Sequence, residues 1–168
     1  MARIPYADTK SAAVKPLADR IVAERGSVLH LYQMLLNSPA VAEGWLNYLT
    51  AIRQKSSLNG AIREMVIMRV ALLNRAPYEA EQHAPIALRE GMSQAQLDAL
   101  SDWEQSPLFD ERERAVLAYT DAMTRNVQVP EGVFAAVSVH FEPQQLVELT
   151  ATVAAYNMVS RFLEALQI

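Results

Sequence analysis

No cysteine occurs in this chain, and that absence excludes disulfides, thiolate nucleophiles, peroxidatic cysteines and cysteine-ligated zinc. Any redox chemistry would need a borrowed cofactor. Glycine is scarce, 5 residues in 168, while 51% of the residues are hydrophobic, so a compact globular protein is expected and a disordered one is not. No basic run with interleaved aromatics is present, and a net charge of −4 with a pI near 5.4 leaves no electrostatic footprint for a nucleic-acid partner. No stretch approaches the roughly 18 apolar residues of a membrane span. The opening MARIPYADTK has no apolar signal core, so a cytoplasmic protein with no membrane partner is the expectation.

What is present is helical pattern. A chain of 168 residues suits one sizeable core, and about 100–200 residues per domain makes a single domain over 1–168 the default. After an extended start ending near Thr9, apolar residues recur at three- and four-residue spacing between Gly, Pro, Ser and Asn breaks. The spacing predicts helices over Ala13–Arg25, Val28–Leu36, Pro39–Gln54, Ala61–Asn74, Pro77–Glu90, Gln94–Glu104, Glu111–Arg125, Pro130–Val139 and Pro143–Ala165. Pro39, Pro77, Pro130 and Pro143 suit a first helical position, where a missing N–H costs nothing. Gly91 can take a left-handed conformation that ends the fifth helix, Ser93 with Gln96 forms a capping-box pattern, and Asp110 is a plausible N-cap for the ERER segment. No segment alternates with period two for long enough to be a strand. The expected fold is an all-α bundle of about eight or nine helices.

The stretch from Arg63 to Gly91, REMVIMRVALLNRAPYEAEQHAPIALREG, is the candidate site. Its first helix is apolar nearly all round except at Arg63, Glu64, Arg69 and Asn74, and a charge on such a helix must be paired, neutralised or used. Glu79 and His83 are four apart, so their side chains lie one above the other on the second helix. That couples a carboxylate to an imidazole suited to proton transfer near neutrality. On spacing alone, a surface ion pair contributing about 0.3–0.5 kcal/mol is the commoner reading. Glu64 fits an acid in a helix's first turn, yet its apolar surroundings place it near the core or an interface, where an acid tends to hold its proton. A protonated Glu64 facing Glu79 and His83 would make a workable acid–base set.

Two glutamates and a histidine are also metal-ligand types. The two-histidine motifs of helical metalloproteases and di-iron bundles are absent, however, so no metal is expected. His30 and His140 have no acidic neighbour at matching spacing, and Trp45, Tyr48, Met65, Met68 and Met158 fit core or interface better than a cofactor site. Tyr78, next to Glu79, can bring a hydroxyl to the same cleft. A faint echo links VALLN at Val70–Asn74 with VAAYN at Val153–Asn157, each preceded by a glutamate, Glu64 and Glu148. It is short enough to arise by chance as well as by duplication.

The segment from Arg63 to Leu100, REMVIMRVALLNRAPYEAEQHAPIALREGMSQAQLDAL, resembles the core motif of the carboxymuconolactone decarboxylase family, which includes the alkyl hydroperoxidase D-like proteins. The flanking NSPAVAEGWLNYL and VELTATVAAYNMVSRFLEAL look like the same family, so the resemblance covers most of the chain. It implies an all-α homo-oligomer, a trimer or hexamer, with its site between helices near a subunit contact. The peroxidase branch carries one cysteine two residues before Tyr78 and another directly after it. Here Ala76 and Glu79 stand there, while Glu64 and His83 match. Loss of both sulfurs removes the nucleophile and the resolving thiol together. The chain therefore resembles the cysteine-free decarboxylase branch, which has a glutamate four residues before the histidine.

The activity this resemblance implies is decarboxylation of a small carboxylated unsaturated lactone, such as 4-carboxymuconolactone, with no metal or organic cofactor. The protein must align the breaking C–C bond with the conjugated ring, stabilise a dienolate and deliver a proton to carbon. His83 or protonated Glu64 is assigned proton delivery, Glu79 the orientation of His83, and Tyr78 a bond to a lactone oxygen. Arg63 and Arg161 are candidates for the substrate carboxylate, alongside surface roles. The same residues would also suit a lactone or enol isomerase or hydrolase. A non-catalytic oligomeric binding protein is the third reading.

Overall fold

The computed structural model describes residues 1–168 and contains helices α1 (Lys15–Arg25), α2 (His30–Leu35), α3 (Pro39–Gln54), α4 (Gly60–Asn74), α5 (Pro77–Arg89), α6 (Gln94–Ala99), α7 (Glu111–Asn126), α8 (Glu131–Ser138) and α9 (Pro143–Leu166). A 3-10 segment, Leu100–Gln105, follows α6, and there is no strand. The expected all-α class and the nine helices are what is observed. No helix is long and apolar enough to cross a membrane.

The chain divides into two compact units, one of Met1–Lys55 with Leu163–Ile168 and one of Ser56–Phe162. In the first, α1 and α2 pack on α3. Ala18 and Ile21 of α1 and Ala42, Leu46 and Leu49 of α3 are buried. Pro39 opens α3 at the position where its missing N–H is not needed. A polar knot ties α1 to α3: Thr50 donates to Glu24 Oε2 at 2.6 Å, Arg20 Nε donates to Glu24 Oε1 at 2.8 Å, and Arg25 donates to Thr50 at 2.7 Å. The Thr50 hydrogen bond holds the Glu24 carboxyl below its ordinary range; burial opposes it, and Arg20 and Arg25 add to it.

The second unit is built on α4, against which α5, α7 and the 3-10 segment pack. Asn59 caps α4 by accepting from the Ile62 amide at 3.2 Å. Every residue from Ile62 to Ala71 is buried, which requires neighbours on all sides of the helix. Val66, Ile67 and Val70 are fully enclosed, each stabilising by about 1.5–3 kcal/mol through removal of apolar surface from water. Buried charge on α4 is then tolerable only with partners. Arg69 has them: Nε and Nη2 each donate to Asp121 of α7 at 2.6 Å, and Nη1 donates to the Leu100 carbonyl at 2.7 Å.

That arginine also explains the main departure from the sequence expectation. The predicted Gln94–Glu104 helix ends at Ala99 and continues as 3-10, with non-helical backbone at Asp102. Guanidinium groups bond the carbonyls of this stretch. Arg69 holds Leu100 and Ser101, and Arg114 holds Trp103, Glu104 and Ser106. Both predicted capping arrangements are present, with Ser93 and Gln96 on α6 and Asp110 and Glu113 on α7 each bonding reciprocally. Pro130 stands just before α8 as its N-cap, and Gly91 has φ 111° after α5. Val127, following α7, has φ 64° and ψ −49°, a strained conformation for a β-branched residue.

Candidate functional site

Helix α4 ends at Asn74 with Arg75 in the left-handed region at φ 55°, and α5 starts at Pro77. So short a connection folds α5 back along α4 as a helical hairpin. Glu64 and His83, nineteen positions apart in sequence, lie on either side of that turn and meet. His83 Nδ1 is 2.7 Å from Glu64 Oε2. Glu64 is completely buried and His83 is 7% exposed, so the pair is shielded from water. The contact depends on a tertiary crossing and joins two of the residues singled out from the sequence.

Arg63 lies beside them, buried, with Nε 3.2 Å from Glu64 Oε1 and Nη2 3.4 Å from Glu90 Oε1. Glu64 thus receives hydrogen bonds on both carboxylate oxygens, one from a permanent cation. Such an arrangement favours its ionised form. An ionised Glu64 accepts Nδ1–H of His83, which leaves Nε2 as the ring nitrogen available for proton exchange. Glu90 reaches Arg63 across Gly60, where an added Cβ would fall 1.7 Å from Glu90 Oε2. The absent side chain at Gly60 makes room for this outer carboxylate.

Glu79, in the first turn of α5, is 2% exposed, and its Oε2 makes a hydrogen bond with the hydroxyl of Ser160 on α9. Ser160 is fully buried and also lies 2.9 Å from the Tyr156 carbonyl. The Tyr156 ring meets the His83 imidazole edge to face, with centroids 5.1 Å apart at 90°. Helix α9 therefore closes the third side of the site. Glu79 and His83 share the buried face of α5, as their spacing predicts, and neither belongs to a surface ion pair.

The remaining expected residues are placed differently. Tyr78 is half-buried at the start of α5. Arg161 is exposed, and its guanidinium donates to the Asn157 carbonyl at 3.0 Å and to Asn157 Oδ1 at 2.6 Å. Asn157 Oδ1 also accepts from Asn74 at 3.0 Å, so the matching asparagines of the two echoed segments touch. No group of three or more His, Asp and Glu side chains is arranged to hold a metal ion. Sequence reasoning passed over Ser160, Tyr156, Glu90 and Gly60. The first two had a signal, since Thr152, Tyr156 and Ser160 recur every four residues on one stripe of the last helix. The approach of Glu90 over Gly60 had none.

Comparison with known proteins bears on this geometry. The sequence pattern of the "Carboxymuconolactone decarboxylase family" matches residues 39–122, a span that contains Arg63, Glu64, Tyr78, Glu79 and His83. The chain is 33% identical over 127 residues to the uncharacterized protein YnjA of Escherichia coli K12, covering 74% of this chain and 66%, just under two thirds, of that protein. It is 24% identical over 110 residues to the uncharacterized protein YdfG of Bacillus subtilis 168, covering 64% of this chain and 75% of that one. Among solved structures, it resembles an uncharacterized peroxidase-related protein with an alkylhydroperoxidase AhpD core from Ralstonia eutropha JMP134. The TM-score is 0.84 at 17% identity, over 99% of this chain and 90% of that one. The debrominase Bmp8, solved in complex with 2,3,4-tribromopyrrole, gives a TM-score of 0.83 at 16% identity, over 99% and 92% of the two chains. These structural likenesses bear on the fold alone.

Proposed function

The chain belongs to the carboxymuconolactone decarboxylase family, among its cysteine-free members, and from that premise we propose that it is a cofactor-independent decarboxylase of a small carboxylated lactone. The observation that carries the reading is the water-shielded Glu64–His83 contact, 2.7 Å long and backed by Arg63. With no thiol in the chain, proton transfer is the chemistry these side chains offer, and the imidazole is their natural agent.

In this mechanism the substrate's C–C bond to its carboxylate breaks, CO₂ departs, and the bonding electrons pass into the conjugated ring as a dienolate. His83, carrying a proton on Nε2, returns it to the ring carbon and recovers one from solvent. The net consumption is one proton per CO₂ released. Glu64 accepts Nδ1–H throughout and stabilises the imidazolium, a contribution of the order of 10²–10⁴-fold for a well-placed acid–base group. Tyr78 donates to the lactone oxygen. Arg63 is engaged by Glu64 and Glu90, so its charge acts through Glu64, and Arg161 at the surface is the better candidate for receiving the substrate carboxylate. The proposal includes self-association as a trimer or hexamer, which light scattering on the purified chain tests.

The deciding experiment is a coupled CO₂-release and ultraviolet assay with 4-carboxymuconolactone, run beside His83→Ala. CO₂ release that disappears with His83 supports the decarboxylase. Consumption of the lactone without CO₂ would move the same residues to isomerisation or hydrolysis, and a folded, inert protein would favour a binding role.

A further inference from the structure

We propose that the cavity between α7, α8 and α9 is a second ligand site, which takes a neutral aromatic molecule that donates one hydrogen bond, a simple phenol being the type. The cavity has a volume of about 770 Å³, within the roughly 300–1,000 Å³ of small-molecule sites. Its walls are mainly apolar and include the rings of Tyr119, Phe134 and Phe141 with Leu146, Val147 and Ala151 of α9. Phe134 and Val147 are exposed there, and exposed apolar surface gathered round a concavity marks a place where something binds. The walls are also fixed in advance. Tyr119 is tied to Thr150 by a hydrogen bond of 2.8 Å, and the Arg112 guanidinium lies 4.6 Å over the Phe141 ring, so little side-chain freedom is lost when a ligand arrives. No residue of the acid–base site lines this cavity. Val147, Ala151 and Ala154 lie about half a turn round α9 from Tyr156, on the side away from His83.

The polar groups of the wall decide which molecule fits. Thr150 Oγ1 donates to the Leu146 carbonyl at 2.7 Å, and a carbonyl oxygen can only accept. That spends the one proton of the threonine, so its contact with Tyr119 uses the phenolic proton. Ser138 likewise donates to the Ala135 carbonyl at 3.0 Å. All three hydroxyls have given their protons to partners inside the protein and keep only oxygen lone pairs. The side chains of the cavity therefore offer acceptors without donors, and none of them is charged. A carboxylate placed there would lose its water with nothing to replace it, so the carboxylated lactone of the proposed reaction is excluded and this inference stands apart from that reading. A neutral aromatic whose O–H meets the Tyr119 oxygen satisfies the rings and the lone pair together. A second copy of the chain is a poorer occupant, because a two-fold contact would set one concavity against another and acceptors against acceptors.

The test uses the full chain and calorimetric titration with three probes of similar shape: 4-propylphenol, its methyl ether 4-propylanisole, and 4-propylbenzoate. The expected result is saturable binding of the phenol, about tenfold weaker binding of the ether, which lacks the proton, and none of the benzoate. Overhauser contacts from the bound ring to the Leu146 and Val147 methyls should locate it. Ala151→Phe should fill the cavity and abolish binding, whereas His83→Ala should leave it unchanged. Thr150→Val is the sharper variant, since it keeps the shape, frees the Tyr119 proton and should erase the preference for phenol over ether. No binding of the phenol overturns the proposal. So does an ether or a benzoate that binds as tightly, or a preference that Thr150→Val leaves intact. Binding lost with His83→Ala would return the ligand to the acid–base site and overturn it too. Self-association that Ala151→Phe abolishes, in a chain that binds no phenol, would hand the cavity to a second copy. If Ala151→Phe does not fold, the Overhauser contacts and Thr150→Val still decide.

Discussion

Replacing Glu64 by glutamine changes one charge and almost no volume, which isolates the electrostatics of the site. In the native chain Glu64 is fully buried between Arg63 Nε at 3.2 Å and His83 Nδ1 at 2.7 Å. Removing one partner from a buried ion pair costs about 3–5 kcal/mol, because the other charge is left uncompensated. Arg63 keeps Glu90 at 3.4 Å, but the Glu90 side chain is 40% exposed, so that contact returns only about 1 kcal/mol. A loss of about 2–4 kcal/mol follows, and at about 2–4 °C per kcal/mol for a domain of this size the melting temperature should fall by about 4–16 °C. The substitution also acts on the imidazole. A glutamine amide can donate to Nδ1, which leaves the ring neutral with its single proton on Nε2, a far weaker acid than the imidazolium that Glu64 stabilises. Turnover should drop by about 10²-fold or more. Thermal unfolding at matched protein concentration reads the first effect, and nitrogen NMR of the His83 ring reads the second. A melting temperature within about 2 °C of the wild type, together with a proton still on Nδ1, would refute the ionised Glu64 on which the reasoning depends.

Two further outcomes come from outside the site. The Glu24 carboxyl is held below its ordinary range, chiefly by the Thr50 hydrogen bond, so its stabilisation is present above the unfolded value of about pH 4.3 and is lost as pH falls through the lower folded value. Glu24→Gln should therefore weaken the acid dependence of the urea midpoint below about pH 4.3, and an unchanged slope would remove Glu24 from the account. Val127 sits at φ 64° with 82% exposure, so Val127→Gly should relieve about 1–3 kcal/mol of backbone strain against an entropic cost of about 0.5–1 kcal/mol. The net is a gain of up to about 2.5 kcal/mol, a rise of up to about 10 °C in melting temperature, and a fall would count against strain at that position.

The fold was legible because its signals are local. Prolines at helix starts, the reciprocal caps of Ser93 with Gln96 and Asp110 with Glu113, and the three-to-four-residue apolar spacing all act within a turn of the backbone. The one helix that changed character, over Leu100–Gln105, did so because Arg69 and Arg114 reach its carbonyls from elsewhere in the chain. The candidate site was legible in part for the same reason. Four-residue spacing places Glu79 and His83 on one face whatever packs against it, and an acid in an apolar helix marks Glu64.

By itself, then, the sequence determined the helices, the exclusion of sulfur chemistry and the set of ionisable residues crowded into the α4–α5 hairpin. Only the tertiary structure decided which of them touch and in what electrical state. It paired His83 with Glu64, engaged Arg63 between Glu64 and Glu90, and brought Ser160 from α9 onto Glu79. The physical reason is range: helix formation and register are settled within a turn or two of chain, whereas the charge on a buried carboxylate is set by whichever groups the fold carries to within hydrogen-bonding distance of it.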